Sequence, residues 1–121
     1  MQEAANRLGV QDAFEQGLAL ETRTSLQARQ MPETARYRAA IAAYQQVADR
    51  YPTHIYAMEA LWRLGRIAVH QLHDLDRAEA AYQKLIEQFP EGKYRERAIV
   101  QLNDIRRKQA HRHRPLIRSA R

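Results

Sequence analysis

Apolar residues recur along this chain at spacings of three and four, the interval that lines one face of an α-helix, and they do so in five runs. The first, about residues 11–30, carries a ragged stripe of Val10, Ala13, Phe14, Leu18 and Leu26 interrupted by Gly17. The second, 33–51, carries Tyr37, Ala40, Ile41, Tyr44, Val47 and Ala48, and the third, 53–72, carries Tyr56, Ala57, Ala60, Leu61, Leu64, Ile67 and Ala68. The fourth, 74–89, buries Leu75, Ala78, Ala81, Tyr82, Leu85 and Ile86, and the fifth, about 93–112, shows Tyr94, Ala98, Ile99, Leu102 and Ile105 before its apolar face disappears. Pro32 suits the start of the second run, where its missing N–H would be unpaired in any case. Thr53 and Asp74 stand where caps of the third and fourth are needed. No segment alternates apolar and polar residues long enough for a strand. The pattern predicts an all-α domain of about five helices over 11–112, with a lead-in at 1–10 and a tail at 113–121.

The runs are copies of one another. Ala40, Ala43, Tyr44, Pro52, Tyr56, Ala60, Leu64 and Ile67 return 38 residues later as Ala78, Ala81, Tyr82, Pro90, Tyr94, Ala98, Leu102 and Ile105. A fixed period of this size marks a stacked solenoid, whose units bury their apolar faces only against neighbours. Tyr44, Tyr82, Tyr56 and Tyr94 fall on the repeated stripes and read as core residues.

Leu64-Gly65 followed by Ala78, Tyr82, Leu85 and Pro90, together with Ala40, Tyr44, Val47 and Pro52 in the preceding unit, resembles the tetratricopeptide repeats. The spacing is most similar to the lengthened repeats of bacterial cell-envelope proteins of the outer-membrane assembly lipoprotein and Tol-Pal-associated types. The resemblance covers about Tyr37 to Ile105 and implies a right-handed α-solenoid of antiparallel helix pairs. In the third unit Asn103 and Arg106 replace the expected glycine and aromatic, so the fifth helix takes the role of a final solvated helix. At the other end Leu26-Gln27 stands where Leu-Gly is expected. Two helix pairs and one extra helix make a short array.

The family implies a groove lined by the first helix of each pair. Transferred position by position, its lining is Glu59, Trp62, Arg63, Arg66 and His70 on the third helix, and Arg97, Gln101, Asp104 and Lys108 on the fifth. Trp62 is the only tryptophan and sits at the edge of the buried stripe. With Arg63 and Arg66 beside it, it has the composition of an interface hot spot; the alternative is a tryptophan half covered by the adjacent helix. The Lys and Asn with which one subclass of the family clamps a terminal carboxylate are here Trp62 and Arg66.

Charge changes the picture only when divided along the chain. The formal net charge is +6. Through Ile105 there are 13 Arg and Lys against 14 Asp and Glu, whereas residues 106–121 hold seven cations and no acid. Arg106, Arg107, Arg112, Arg114, Arg118 and Arg121 make a basic tail suited to nucleic acid, anionic membrane or an acidic protein, or to solubility alone. No aromatic residue follows Tyr94, which weakens base stacking.

Chemistry finds few footholds. Ser25 and Ser119 are the only serines, the glycines never approach closely enough to cradle a phosphate, and Glu79, Glu87 and Glu96 are scattered over polar faces. His70, His73, Asp74 and Asp76 cluster at a helix end, but they read first as a polar turn, and His111 and His113 as part of the solvated tail. The absence of cysteine excludes disulfides and thiolate sites. No run approaches the roughly 18 apolar residues of a membrane span. The first thirty residues lack the basic start and apolar core of an export signal. The expectation is a non-enzymatic module without cofactor or small-molecule substrate, in the bacterial envelope or the cytoplasm, that binds a peptide or helix of a protein partner. Head-to-tail self-assembly and tail docking to nucleic acid or membrane are the alternatives.

Overall fold

A computed structural model of the chain describes the backbone of residues 2–112 and the side chains from Gly9 onward. Its elements are α1 (Gln2–Thr22), α2 (Leu26–Gln30), α3 (Glu33–Arg50), α4 (Ile55–His70), α5 (Leu75–Gln88) and α6 (Arg95–Arg112). Each long helix packs against the next, and α4 also touches α1. Short connections between packed neighbours make them antiparallel, so α1, α4 and α6 form a first layer and α3 and α5 a second. The result is an all-helical α-solenoid; among the described residues there is no strand. No described helix is long and apolar enough to cross a membrane.

The beginning of the chain departs from expectation. The single helix expected over 11–30 is two, and helix already runs from Gln2 through the expected lead-in. The break lies at Arg23, whose φ of 60° is left-handed. Ser25 restarts the chain by accepting the Ala28 N–H on its Oγ at 3.1 Å. The end of α1 is held from afar by Arg36, the one buried charged residue of the described chain. Its Nη1 donates to the carbonyls of Leu20 at 2.7 Å and Glu21 at 2.8 Å, supplying partners that a helix C-terminus lacks. At the next turn His54 caps α4 in place of Thr53, its Nδ1 accepting from the Tyr56 N–H at 3.0 Å. Asp74 caps α5 by accepting from the Arg77 N–H at 3.1 Å.

Within each pair, one contact brings the helices together. The ring of Tyr44 from α3 lies on Gly17 of α1, and the ring of Tyr82 from α5 lies on Gly65 of α4. Both tyrosines are fully buried. Gly17 therefore does in the first unit what Gly65 does in the second, and the glycine that interrupts the sequence stripe is the point of closest packing. It precedes Gly65 by 48 residues, not 38. The ten additional residues form the bend at Arg23 and the short α2. Leu26, expected at this position, is 72% exposed.

The aromatic packing repeats with the same offsets. Phe14 stacks on Tyr56 with centroids 4.8 Å apart, and Trp62 stacks on Tyr94 at 4.8 Å. Phe14 tilts against Tyr44 at 5.7 Å, and Trp62 against Tyr82 at 5.6 Å. Each unit thus rests on one aromatic triad laid over one glycine, with Leu64, Leu85, Val47 and Ile105 filling the space around them.

A Cβ added at Gly17 or Gly65 would stand 2.7 or 2.6 Å from a tyrosine ring that is enclosed and cannot retreat. Gly17→Ala and Gly65→Ala are each expected to lower stability by about 1–3 kcal/mol through overpacking, in spite of the better helix propensity of alanine. Thermal unfolding followed by circular dichroism checks this; an unchanged or raised midpoint would contradict the packing described.

Candidate partner-binding face

The outward face of the first layer is built by the positions of α4 and α6 that do not enter the core. On α4 these are Glu59, Trp62 and Arg63, all half-buried, and Arg66 and His70, both exposed. On α6 the repeat-equivalent positions are Arg97 and Lys108, exposed, and Gln101 and Asp104, half-buried. The spacing of three and four residues keeps each set on one side of its helix.

Two polar junctions tie this face together. At the first, between α1 and α4, Glu21 Oε1 accepts from the Tyr44 hydroxyl at 2.6 Å and from Arg63 Nη1 at 3.1 Å. Burial and the Glu21 contact push the Tyr44 phenol far above its ordinary range. Burial works against the charge on Arg63, but the Glu21 hydrogen bond outweighs it and holds the guanidinium in its charged form. At the second junction, between α4 and the start of α6, Glu59 binds Lys93 Nζ at 2.9 Å and accepts from the Tyr94 hydroxyl at 3.0 Å. Burial and the Glu59 carboxylate raise the Tyr94 phenol, and Glu59 likewise raises Lys93.

The sequence-derived residues thus separate into two groups. Glu59 and Arg63 are engaged in holding helices together, and Trp62 has one face covered by Tyr94 and an edge against Tyr82. Arg66, His70, Arg97 and Gln101 reach the surface without a hydrogen-bonded or ionic partner among the described residues. Asp104 is occupied by Lys108 at 3.2 Å and Arg107 at 3.3 Å. Arg66 and His70 also border an open cleft of about 390 Å³ with Glu21, Tyr37, Ile67 and Gln71. Glu21 and Arg36 were not singled out from the sequence, because their roles depend on the bend at Arg23 that the 38-residue register conceals.

The basic tail divides similarly. Arg106 belongs to the α5–α6 junction, with Nε 3.1 Å from Glu79 and Nη2 2.9 Å from Gln83 Oε1. Arg107 is exposed but paired along its helix, and Arg112 is exposed in the last turn of α6. Arg114, Arg118 and Arg121 lie outside the described residues. At the other candidate cluster, Asp74 is used as a cap and pairs with Arg77 at 3.4 Å. Among the described residues, no three His, Asp or Glu side chains gather as a metal site would require.

The two units differ at one point. Val69 stands in α4 where Glu21 stands in α1, so the buried Tyr82 hydroxyl has no partner. Burial pushes the Tyr82 phenol up to about 12. Tyr44→Phe is expected to cost about 1.5–3 kcal/mol, the range of a hydrogen bond to a charged group, whereas Tyr82→Phe should cost nothing or stabilise by about 1 kcal/mol. Chemical denaturation of both variants measures the difference. An unfolded tyrosine ionises near pH ~10, so the unfolded state loses its proton first. The Tyr82 contribution is therefore intact below that pH and declines as pH climbs towards 12, and Tyr82→Phe should show a smaller alkaline loss.

A sequence model of the tetratricopeptide repeat matches residues 25–54 and 59–92, more than half of the chain. No curated protein and no solved structure matches with significance. The match reaches the repeat family and does not extend to the narrower cell-envelope type. Two aromatic triads over two glycines, a polar final helix and two matched repeats make this chain a member of the tetratricopeptide repeat family.

Proposed function

We propose that the chain is a non-enzymatic interaction module whose first-layer face, between α4 and α6, receives a peptide or helix from a protein partner. Tetratricopeptide repeats act in general as protein-interaction scaffolds. The observation that carries the reading to this face is the division described above. Glu21, Arg63, Glu59 and Lys93 hold the layer rigid, while Arg66, His70, Arg97 and Gln101 are presented on it with their hydrogen-bonding capacity unused. A preorganised surface with free donors loses little entropy on binding. Trp62 contributes apolar area from a fixed position, since its stacking on Tyr94 sets its orientation.

Head-to-tail stacking finds less support. It would need an apolar outer face on α6, where the counterparts of Gly65, Ala68 and Val69 are Asn103, Arg106 and Arg107. Tail docking to nucleic acid or membrane is also weakened, because Arg106, Arg107 and Lys108 already have acidic partners. The narrower kinship with bacterial cell-envelope repeats rests on the 38-residue spacing alone.

A photo-crosslinking residue placed at His70 or Gln101 in the producing cell is expected to yield an adduct with a partner protein, and the same residue at Arg38 or Gln88, on the second layer, to yield none. Adducts of equal yield from both layers would remove the assignment to this face. Adducts consisting only of the chain with itself would favour self-assembly.

A further inference from the structure

The contacts across the first layer fix its register. Trp62 stacks on Tyr94, and Glu59 binds Lys93 and Tyr94, offsets of 32 to 35 residues along the chain. One turn further the same offsets set Arg66 level with residues 98–101, so that Arg66 of α4 and Arg97 and Gln101 of α6 border a single gap. Both arginines are exposed, and neither has an anionic partner among the described residues. The neighbouring acids are already engaged, Glu59 by Lys93 and Tyr94 and Asp104 by Lys108 and Arg107.

The molecule itself shows what such a gap accommodates. In the α1–α4 gap a carboxylate, that of Glu21, is held by a buried phenol and a guanidinium. In the α4–α6 gap the counterpart of Glu21 is Val69 and that of Arg63 is Gln101, while the phenol, Tyr82, is fully buried with its hydroxyl unpartnered. The second gap therefore has donors and cations but no acid of its own. We propose that Arg66 and Arg97 receive a carboxylate of the bound protein segment, an Asp or Glu side chain, at the rim of the α4–α6 gap. The proposal rests on the reading of the first-layer face as the partner site. Guanidinium groups pair with carboxylates through two parallel N–H bonds, a geometry that selects this chemistry over a neutral amide. A nucleic-acid strand is disfavoured because the aromatic surfaces nearby, Trp62 and Tyr94, are stacked on each other and not offered to bases.

Fluorescence anisotropy with a panel of short, labelled, N-acetylated and C-amidated peptides containing glutamate, each matched by a glutamine version, tests this on the full chain. The glutamate peptides are expected to bind about tenfold or more tightly than their glutamine partners at low salt. That preference should vanish in Arg66→Gln/Arg97→Gln and persist in Arg38→Gln/Arg50→Gln, which alters exposed second-layer cations. A glutamine peptide that regains affinity when its C-terminus is left as a free carboxylate would support the same seat and assign it to a chain end. Equal binding of the two versions, a preference that survives Arg66→Gln/Arg97→Gln, no binding by any peptide, or preferential binding of a short single-stranded oligonucleotide would overturn the proposal. Those failures would leave the first-layer reading standing as long as crosslinks from His70 and Gln101 persist, whereas loss of the crosslinks would remove both.

Discussion

A tyrosine ring can rest on a helix backbone only where that helix has no side chain, and the rest of this structure depends on that constraint. Gly17 under Tyr44 and Gly65 under Tyr82 set how closely the two helices of each pair approach. That distance brings Phe14 and Trp62 into stacking reach of the next helix in the first layer, and the stacking fixes the register in which Arg63 meets Glu21 and Lys93 meets Glu59. A steric requirement inside each pair thus becomes an electrostatic arrangement between pairs. The tyrosines are fully buried and together remove several hundred Å² of largely apolar surface from water, so the same residues that position the layers also contribute much of the driving force.

Most of the fold was legible because its determinants are local or periodic. The stripes through Tyr44, Leu64, Tyr82 and Leu85 have helical spacing and recur at a fixed interval, and all four residues are fully buried. What failed was the first helix, for a definite physical reason. A single period of 38 residues imposes Leu26-Gln27 on the position that Gly17 occupies, because a solenoid tolerates extra residues between two helices without disturbing their packing. The clues were Ser25, a good cap, and Arg36, a charge on an apolar stripe whose only reason to be buried is the pair of α1 carbonyls it binds.

The candidate face was legible in membership but not in division of labour. Residue identity and helical spacing place Glu59, Arg63, Arg66, Arg97 and Gln101 on one side of the layer. Whether a given side chain is free depends on partners 35 or 42 residues away, such as Tyr94 for Glu59 or Glu21 for Arg63. Trp62 illustrates the point: exposure of its edge and the covering of its face by Tyr94 coexist, so the hot-spot and packing readings describe two sides of one ring. The difference between Glu21 and Val69, the feature that distinguishes the two units chemically, emerges only once the glycines have been aligned in space.

The single tryptophan has a further consequence. Its ring joins α4 to the residues that open α6 and touches the core tyrosine of the second pair, whereas the first pair contains no indole. Its emission therefore observes one end of the array alone. An undocking of the last helix that left the first pair folded would alter that light well before the backbone signal of the whole domain changed, giving the molecule an optical gauge of how cooperatively its two halves unfold.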